Sequence, residues 1–211
     1  IGNVFFLLFN PLQIDFSFHG AAALSMKEPV SVGKNHGVFL NDGQEFVGRF
    51  LHKQTEEMLH QAGAVNDSGL VDLDTGAVAL DTDMMQSLYS LICKNGKTDA
   101  EAFAQFVNDK VRLSFYGDFL YPLAAQAGLE DYLEQAAEGE MSQELLTCRR
   151  AIWEAISKYK MRLLSLSPAD FIHFGTTREL HHLVTKSVED YRFLGWERSV
   201  LCNVEGQGFA A

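Results

Sequence analysis

Asp170-Phe171-Ile172-His173-Phe174-Gly175-Thr176-Thr177-Arg178-Glu179-Leu180 reads as a short apolar strand that breaks at a glycine and then opens a helix. Such a junction aims several backbone N–H groups at one point, which is how chains hold phosphates and carboxylates. A first helical turn rich in Thr and closed by Glu179 equally fits a capping arrangement, so the junction by itself leaves binding and architecture both open. Working back from it, residues 161–166 read as another strand, and residues 99–159 as a mostly helical stretch with helices at 99–108, 118–127, 129–137 and 142–159. Working forward, 177–184 is expected to be a helix and Trp196 onward β-like.

The first half of the chain alternates. Residues 1–9, Ile-Gly-Asn-Val-Phe-Phe-Leu-Leu-Phe, form a continuous apolar run ended by Asn10-Pro11, the pattern of a strand covered on both faces in an α/β sheet. Residues 21–26 read as a strand, and 37–40 with 46–53 as a hairpin whose Asn41-Asp42-Gly43 supplies the turn. Thr55 caps a helix through Ala62, with Glu56, Glu57 and His60 outward and Met58, Leu59 and Ala62 toward the core. Strands at 70–73 and 77–80, separated by a turn at Gly76, precede a helix that starts at Thr82 or Asp83 and ends near Cys93. The reading is a mixed α/β domain over 1–186 with a helical insertion at about 99–159, followed by the first coil of something else at 187–211. A strand that begins at the first residue, without an initiator Met, and a Gly-spaced β segment at the end make both ends look cut from a longer chain.

Composition removes several function classes. At 211 residues with 47% hydrophobic and 21% charged residues, the chain can bury one substantial core. A net charge of −11 and the lack of a basic stripe argue against general nucleic-acid binding, which requires cations to displace counterions. The longest apolar run is far short of the roughly 20 residues that cross a bilayer. Cys93, Cys148 and Cys202 are odd in number and far apart, without zinc spacing, which points to a reducing cytoplasm.

Four segments carry candidate chemistry. Lys34-Asn35-His36-Gly37 puts a cation, an amide and an imidazole before a glycine that enters a strand; with Lys53 at the end of the partner strand it could present positive charge to a phosphate, or be a solvated loop with a turn glycine. Asp72-Leu73-Asp74-Thr75-Gly76 could hold sugar hydroxyls or be a polar strand face with a turn. Asp118 is expected to cap a helix, and Glu138, Glu140, Glu144, Arg149 and Arg150 to make a solvated face. Trp153, Phe103 and Phe106 have the spacing of a helical core, and adjacent His181 and His182 point to different helix faces.

Taken in order, Gly2-Asn3-Val4, Pro11-Leu12-Gln13, residues 34–39, Phe50-Leu51-His52-Lys53-Gln54, Asp74-Thr75-Gly76, residues 113–120 and His173-Phe174-Gly175-Thr176-Thr177-Arg178-Glu179-Leu180 resemble the L-fucokinase/GDP-fucose pyrophosphorylase family, in its fucose-1-phosphate guanylyltransferase part. The resemblance covers most of residues 1 to about 200 and implies a Rossmann-like sugar nucleotidyltransferase core, here incomplete at its N-terminus, that leads into a β-helix-like segment. It implies formation of GDP-L-fucose and pyrophosphate from GTP and L-fucose 1-phosphate. By position, Lys53 is implied to contact phosphate, and His36 and Gly37 to lie on a sugar-side loop. Asp74, Thr75 and Gly76 would form the turn under the sugar. His173, Gly175, Thr176 and Thr177 would stand at the last strand–glycine–helix junction. Mg²⁺ is implied as cofactor, its expected ligand being an Asp where this chain has Asn3, a neutral oxygen that weakens a site for a hard cation. The Gly-rich nucleotide loop that opens such domains is not in this sequence. A catalytically inactive module that binds a sugar phosphate or GDP-sugar, and an oligomerisation scaffold, are the alternatives. A fused kinase domain and a homo-oligomer are the expected partners.

Overall fold

A computed structural model of the chain describes residues 4–8, 11, 15, 17–173, 176–183, 185 and 188–196. In chain order the elements are β1 (Val4–Leu8), β2 (Gly20–Pro29), α1 (Val30–Gly33), β3 (Gly37–Asn41), β4 (Val47–His52), α2 (Glu56–Gln61), β5 (Leu70–Leu80) and α3 (Thr82–Ser90). They continue with β6 (Cys93–Lys94), β7 (Lys97–Thr98), α4 (Ala100–Phe106), a π-helical turn (Phe115–Leu120), a 3₁₀ turn (Tyr121–Leu123), α5 (Leu129–Glu134), α6 (Gln143–Ile156), β8 (Lys160–Ser165), β9 (Ala169–His173), α7 (Thr177–His182) and a last 3₁₀ stretch (Val188–Leu194). The chain forms two compact units, Leu8–Asp170 and the combination of Ile1–Leu7 with Phe171–Ala211.

In the larger unit a five-stranded sheet has the order β4-β3-β5-β2-β8. The β4–β3, β3–β5 and β5–β2 pairings are antiparallel and β2–β8 is parallel, which makes the fold mixed α/β. Alternate strand residues serve opposite faces. Ala21, Ala23, Phe39, Val47 and Met161 pack with Met84 of α3 and with Ile152 and Ile156 of α6, whereas Val38, Leu51 and Val71 pack with Leu59 of α2. The two edges of the sheet also meet: Phe46, just before β4, bridges to Arg162 of β8, and Leu163 N donates to Glu45 O at 2.9 Å.

Several elements depart from the sequence expectation for identifiable reasons. Gly76 does not separate two strands. Residues 70–80 are one strand whose pairing with β2 passes from Ala23↔Val78 to Ser25↔Asp74, a bulge that Gly76 permits with a φ of 74°. The helix expected at 118–127 is a π-helical turn followed by a 3₁₀ turn, because Gly117 and Pro122 disfavour an ordinary helix there. Asp118 is not its cap: the Ser114 side chain accepts from Gly117 N, while Asp118 is buried and accepts from Ser114 N at 2.5 Å and from Arg149 Nε at 2.7 Å. Arg149 is accordingly no part of a solvated face; it is fully buried and donates to the carbonyl oxygens of Gln135 (2.7 Å) and Leu133 (3.3 Å), which the end of α5 leaves without helical partners. Met58 is 50% exposed and Phe103 42% exposed, so neither belongs to the core.

The smaller unit pairs β1 with β9 in a two-stranded sheet and carries α7. Leu8, at the end of β1, is 39% exposed, so the apolar N-terminal run is not covered on both faces throughout. The β-like segment expected after Trp196 and the boundary expected at 186–187 lie outside the described residues. Among the described residues no helix is long and apolar enough to cross a membrane.

Candidate functional site

The register of three strands brings four of the expected residues together. Gly37 pairs with His52, and Lys53 N donates to His36 O at 2.9 Å, so His36 and Lys53 flank the same end of the β3–β4 hairpin. On its other side β3 places Val38 opposite Leu73, which sets Gly37 beside Asp74. Asp74 in turn pairs with Ser25, and Ser25 with Ser165. His52, Gly37, Asp74, Ser25 and Ser165 therefore form one row across all five strands, and residues in such a row share a sheet face. Ser25 Oγ is buried without a hydrogen-bond partner among the described residues.

Asp74 is the buried charge of this row, 7% exposed, with its Oδ1 accepting from Gly76 N at 2.8 Å. Burial pushes its carboxyl up to about 6, the one hydrogen bond offsetting only part of the cost of ionisation. Lys53 makes no salt bridge among the described residues and adopts a left-handed φ of 49°, unusual outside glycine. Lys34, the other cation of the loop, is tied to Glu56 at 2.7 Å.

Three expected binding residues have structural work as well. The Thr75 hydroxyl donates to Leu24 O at 2.6 Å across the bulge, and Gly76 is the bulge glycine. A Cβ on Gly37 would come within 2.7 Å of Phe50 Cζ and 3.1 Å of Asp74 Cβ, so this glycine makes room for an aromatic ring. Gly37→Ala is expected to cost about 1–3 kcal/mol by overpacking, seen as a lower urea midpoint and an altered near-UV circular dichroism spectrum as Phe50 shifts.

That ring starts a wall that the sequence reading missed. Phe50 and His52 alternate onto one face of β4, and Tyr116 of the π-helical turn stacks on both, at centroid distances of 5.5 Å (5° between planes) and 5.9 Å (15°). The Phe50-Leu51-His52 alternation was the available signal; Tyr116 lies in the 113–120 segment of the resemblance, remote in sequence from β4, and nothing there signals the stacking. Burial, then the Lys53 charge, lowers the His52 pKa from its ordinary value, and burial, then Asp74, raises that of Tyr116. The wall thus presents neutral rings at neutral pH. It borders a cavity of about 1110 Å³ whose lining also includes Gln54, Tyr121 and Gln126. That volume is of the order of a small-molecule site.

In the smaller unit, His173 ends β9; its side chain, Gly175 and Asn3 lie outside the described residues. Thr176 is the N-cap of α7 in a full capping box: its Oγ1 accepts from Glu179 N at 3.1 Å and Glu179 Oε2 accepts from Thr176 N at 2.8 Å. The capping use of this junction is therefore realised, and Thr177 is the first helical residue. Among the described residues no group of three or more His, Cys, Asp or Glu side chains is arranged to hold a metal ion; at this hairpin end Asp74 contributes one buried carboxylate.

These elements define a mixed α/β domain that carries a cation, a buried carboxylate and an aromatic-walled cavity near one hairpin end. The match of the fucose pyrophosphorylase domain to residues 4–209 makes the assignment particular: the chain belongs to that family. It is 27% identical over 184 residues to a Homo sapiens protein described as fucose-1-phosphate guanylyltransferase, a match covering 79% of this chain and 30% of that protein. It is also 27% identical over 193 residues to a Mus musculus protein of the same description, covering 82% and 33%. The chain thus spans about a third of the length of the curated relatives it matches.

Proposed function

We propose that this chain is part of a fucose-1-phosphate guanylyltransferase, an enzyme that forms GDP-L-fucose. A phosphate oxygen of L-fucose 1-phosphate attacks the α-phosphorus of GTP; the bond from that phosphorus to the oxygen bridging to the β-phosphate breaks, and pyrophosphate leaves. The protein's share in such a reaction is positioning and neutralisation of charge. Lys53 neutralises phosphate, while His36 and Asp74 take sugar hydroxyls. The observation that carries the reading is the family match together with the meeting of Lys53, His36 and Asp74 at one end of β3, β4 and β5. In the full-length protein, Lys53→Ala should lower kcat/KM on the order of a hundredfold. Its melting temperature should stay unchanged, because an exposed lysine adds little stability. Equal loss of folding and activity would count against the assignment.

The finer elements of the reading rest on the family resemblance. They are a Rossmann-like nucleotide core, a β-helix-like continuation from 187, a Mg²⁺ requirement served in part from the Asn3 position, and a substrate role for His173, Gly175, Thr176 and Thr177. A fused kinase domain, a homo-oligomer and a cytoplasmic location belong with them. A second reading, an inactive module that binds a sugar phosphate or GDP-sugar, follows from the resemblance, which implies a metal-binding Asp where this chain has the neutral Asn3. Calorimetry with L-fucose 1-phosphate, GTP and GDP-L-fucose, with and without Mg²⁺, separates the two. The enzyme binds GTP more tightly with the metal, whereas the module binds the sugar ligands indifferently to it.

A further inference from the structure

The geometry points to the cavity beside Phe50, His52 and Tyr116 as the seat of the sugar ring, with the flat faces of Tyr116 and His52 as its stacking surface and Lys53 holding the phosphate at its rim. This assignment rests on the function proposed above and goes beyond it by naming the surface on which the sugar ring lies.

Three observations support it. First, the wall is built in advance. Phe50 is seated on Gly37, where a Cβ would meet its ring, and the turn that carries Tyr116 is anchored two residues on, where Asp118 accepts from buried Arg149. An ordered aromatic surface binds a ring without a further ordering cost. Second, the charge of the lining suits hydroxyls and not phosphate. Asp131, Glu134 and Glu138 line the cavity against one Arg, Arg49, so a phosphate inside would face a net negative surface, whereas sugar hydroxyls would find acceptors. Gln54 and Gln126 add amides that both donate and accept. Third, the phosphate-holding cation is next to the cavity in the chain. His52 and Gln54, on either side of Lys53, both line it. A pyranose has apolar C–H faces and a polar edge, which matches an aromatic wall ringed by carboxylates and amides.

The test uses the full-length protein with Tyr116→Leu, His52→Ala and Tyr116→Phe. Leu keeps apolar volume without a flat face, and Phe keeps the ring. Tyr116→Leu and His52→Ala should each raise KM for L-fucose 1-phosphate about tenfold or more, lower kcat by a smaller factor, and leave KM for GTP within about twofold. Tyr116→Phe should restore the sugar-phosphate KM. An unchanged sugar-phosphate KM in both ring-removing variants overturns the assignment, and so does a rise confined to GTP, which would give the wall to the guanine base. Calorimetric titration reads the inference apart from catalysis: the same two variants should weaken binding of L-fucose 1-phosphate about tenfold while leaving inorganic phosphate unaffected. If the unaltered protein transfers no guanylyl group yet shows this contrast, the enzyme assignment fails and the sugar seat stands. Equal weakening of both ligands, or of neither, removes the sugar seat whatever the activity.

Discussion

Arg149→Met is expected to lower the stability of the folded protein by about 3–5 kcal/mol, enough to leave little of a marginal fold. The reason is the Asp118 carboxylate, 1% exposed, which would keep Ser114 N as a hydrogen-bond donor but lose the one cation it pairs with among the described residues. The carbonyls of Leu133 and Gln135 would lose their donor as well. The double variant Asp118→Leu/Arg149→Met should recover much of the loss, because apolar groups of similar size remove both charges at once. Urea unfolding of the four proteins of this cycle measures the coupling directly. Additive losses would mean that the pair is not coupled. The single variant should also loosen the turn bearing Tyr116, so sugar-phosphate binding should weaken at temperatures where the protein is still folded.

Asp74→Asn should act in the opposite direction on stability. In the unfolded chain this carboxyl titrates near 3.8, and in the folded protein near 6. Below both values it is protonated in either state and costs nothing. As pH rises from about 4 to about 6 the unfolded state releases its proton first, so stability falls, by about 3 kcal/mol over the interval, and then levels off. Asn at this position keeps an oxygen for Gly76 N and has no charge to bury. The variant should therefore be more stable than the unaltered protein at pH 7.5 and equal to it near pH 3.5, while binding the sugar phosphate less well. The difference between the two stability curves isolates Asp74 from other carboxylates such as Glu28, whose pKa burial also raises. Parallel curves would show that Asp74 is not ionised at a cost.

Gain of stability with loss of binding is the pattern expected of a residue retained for function.

Much of the fold was legible because local chemistry decided it. Asn41-Asp42-Gly43 set the hairpin, Thr55 capped its helix as expected, the helix expected from 142 follows Ser142, and the strand–helix junction at 170–180 carries the capping box. The site was half legible for the same reason. His36, Gly37 and Lys53 meet through the hairpin alone, and the hairpin was readable. Asp74 was expected in the site, but its burial was not, since that depends on the bulge in β5 and on Ser25 of β2, about fifty residues away. The aromatic wall depends on Tyr116 reaching β4 from a π-helical turn, and the burial of Arg149 on carbonyls that α5 leaves open. Neither has a signature in the residues nearby. Gly37 makes room for Phe50 and Gly76 permits a bulge, uses that the sequence did not show; a glycine shows in sequence that space is needed but not what fills it.

The meeting of Glu45 and Phe46 with Arg162 and Leu163 carries a consequence for synthesis. A nascent chain that has left the ribosome only as far as α6 has made β2 through β5 but not the strand that seals them, so both margins of the unfinished sheet offer unpaired amides to other chains. Everything from Phe46 to Tyr159 must emerge before closure can begin. Slowing translation just ahead of Lys160 should therefore favour aggregation, and a chaperone that shields exposed strands during that interval should raise the yield of folded protein.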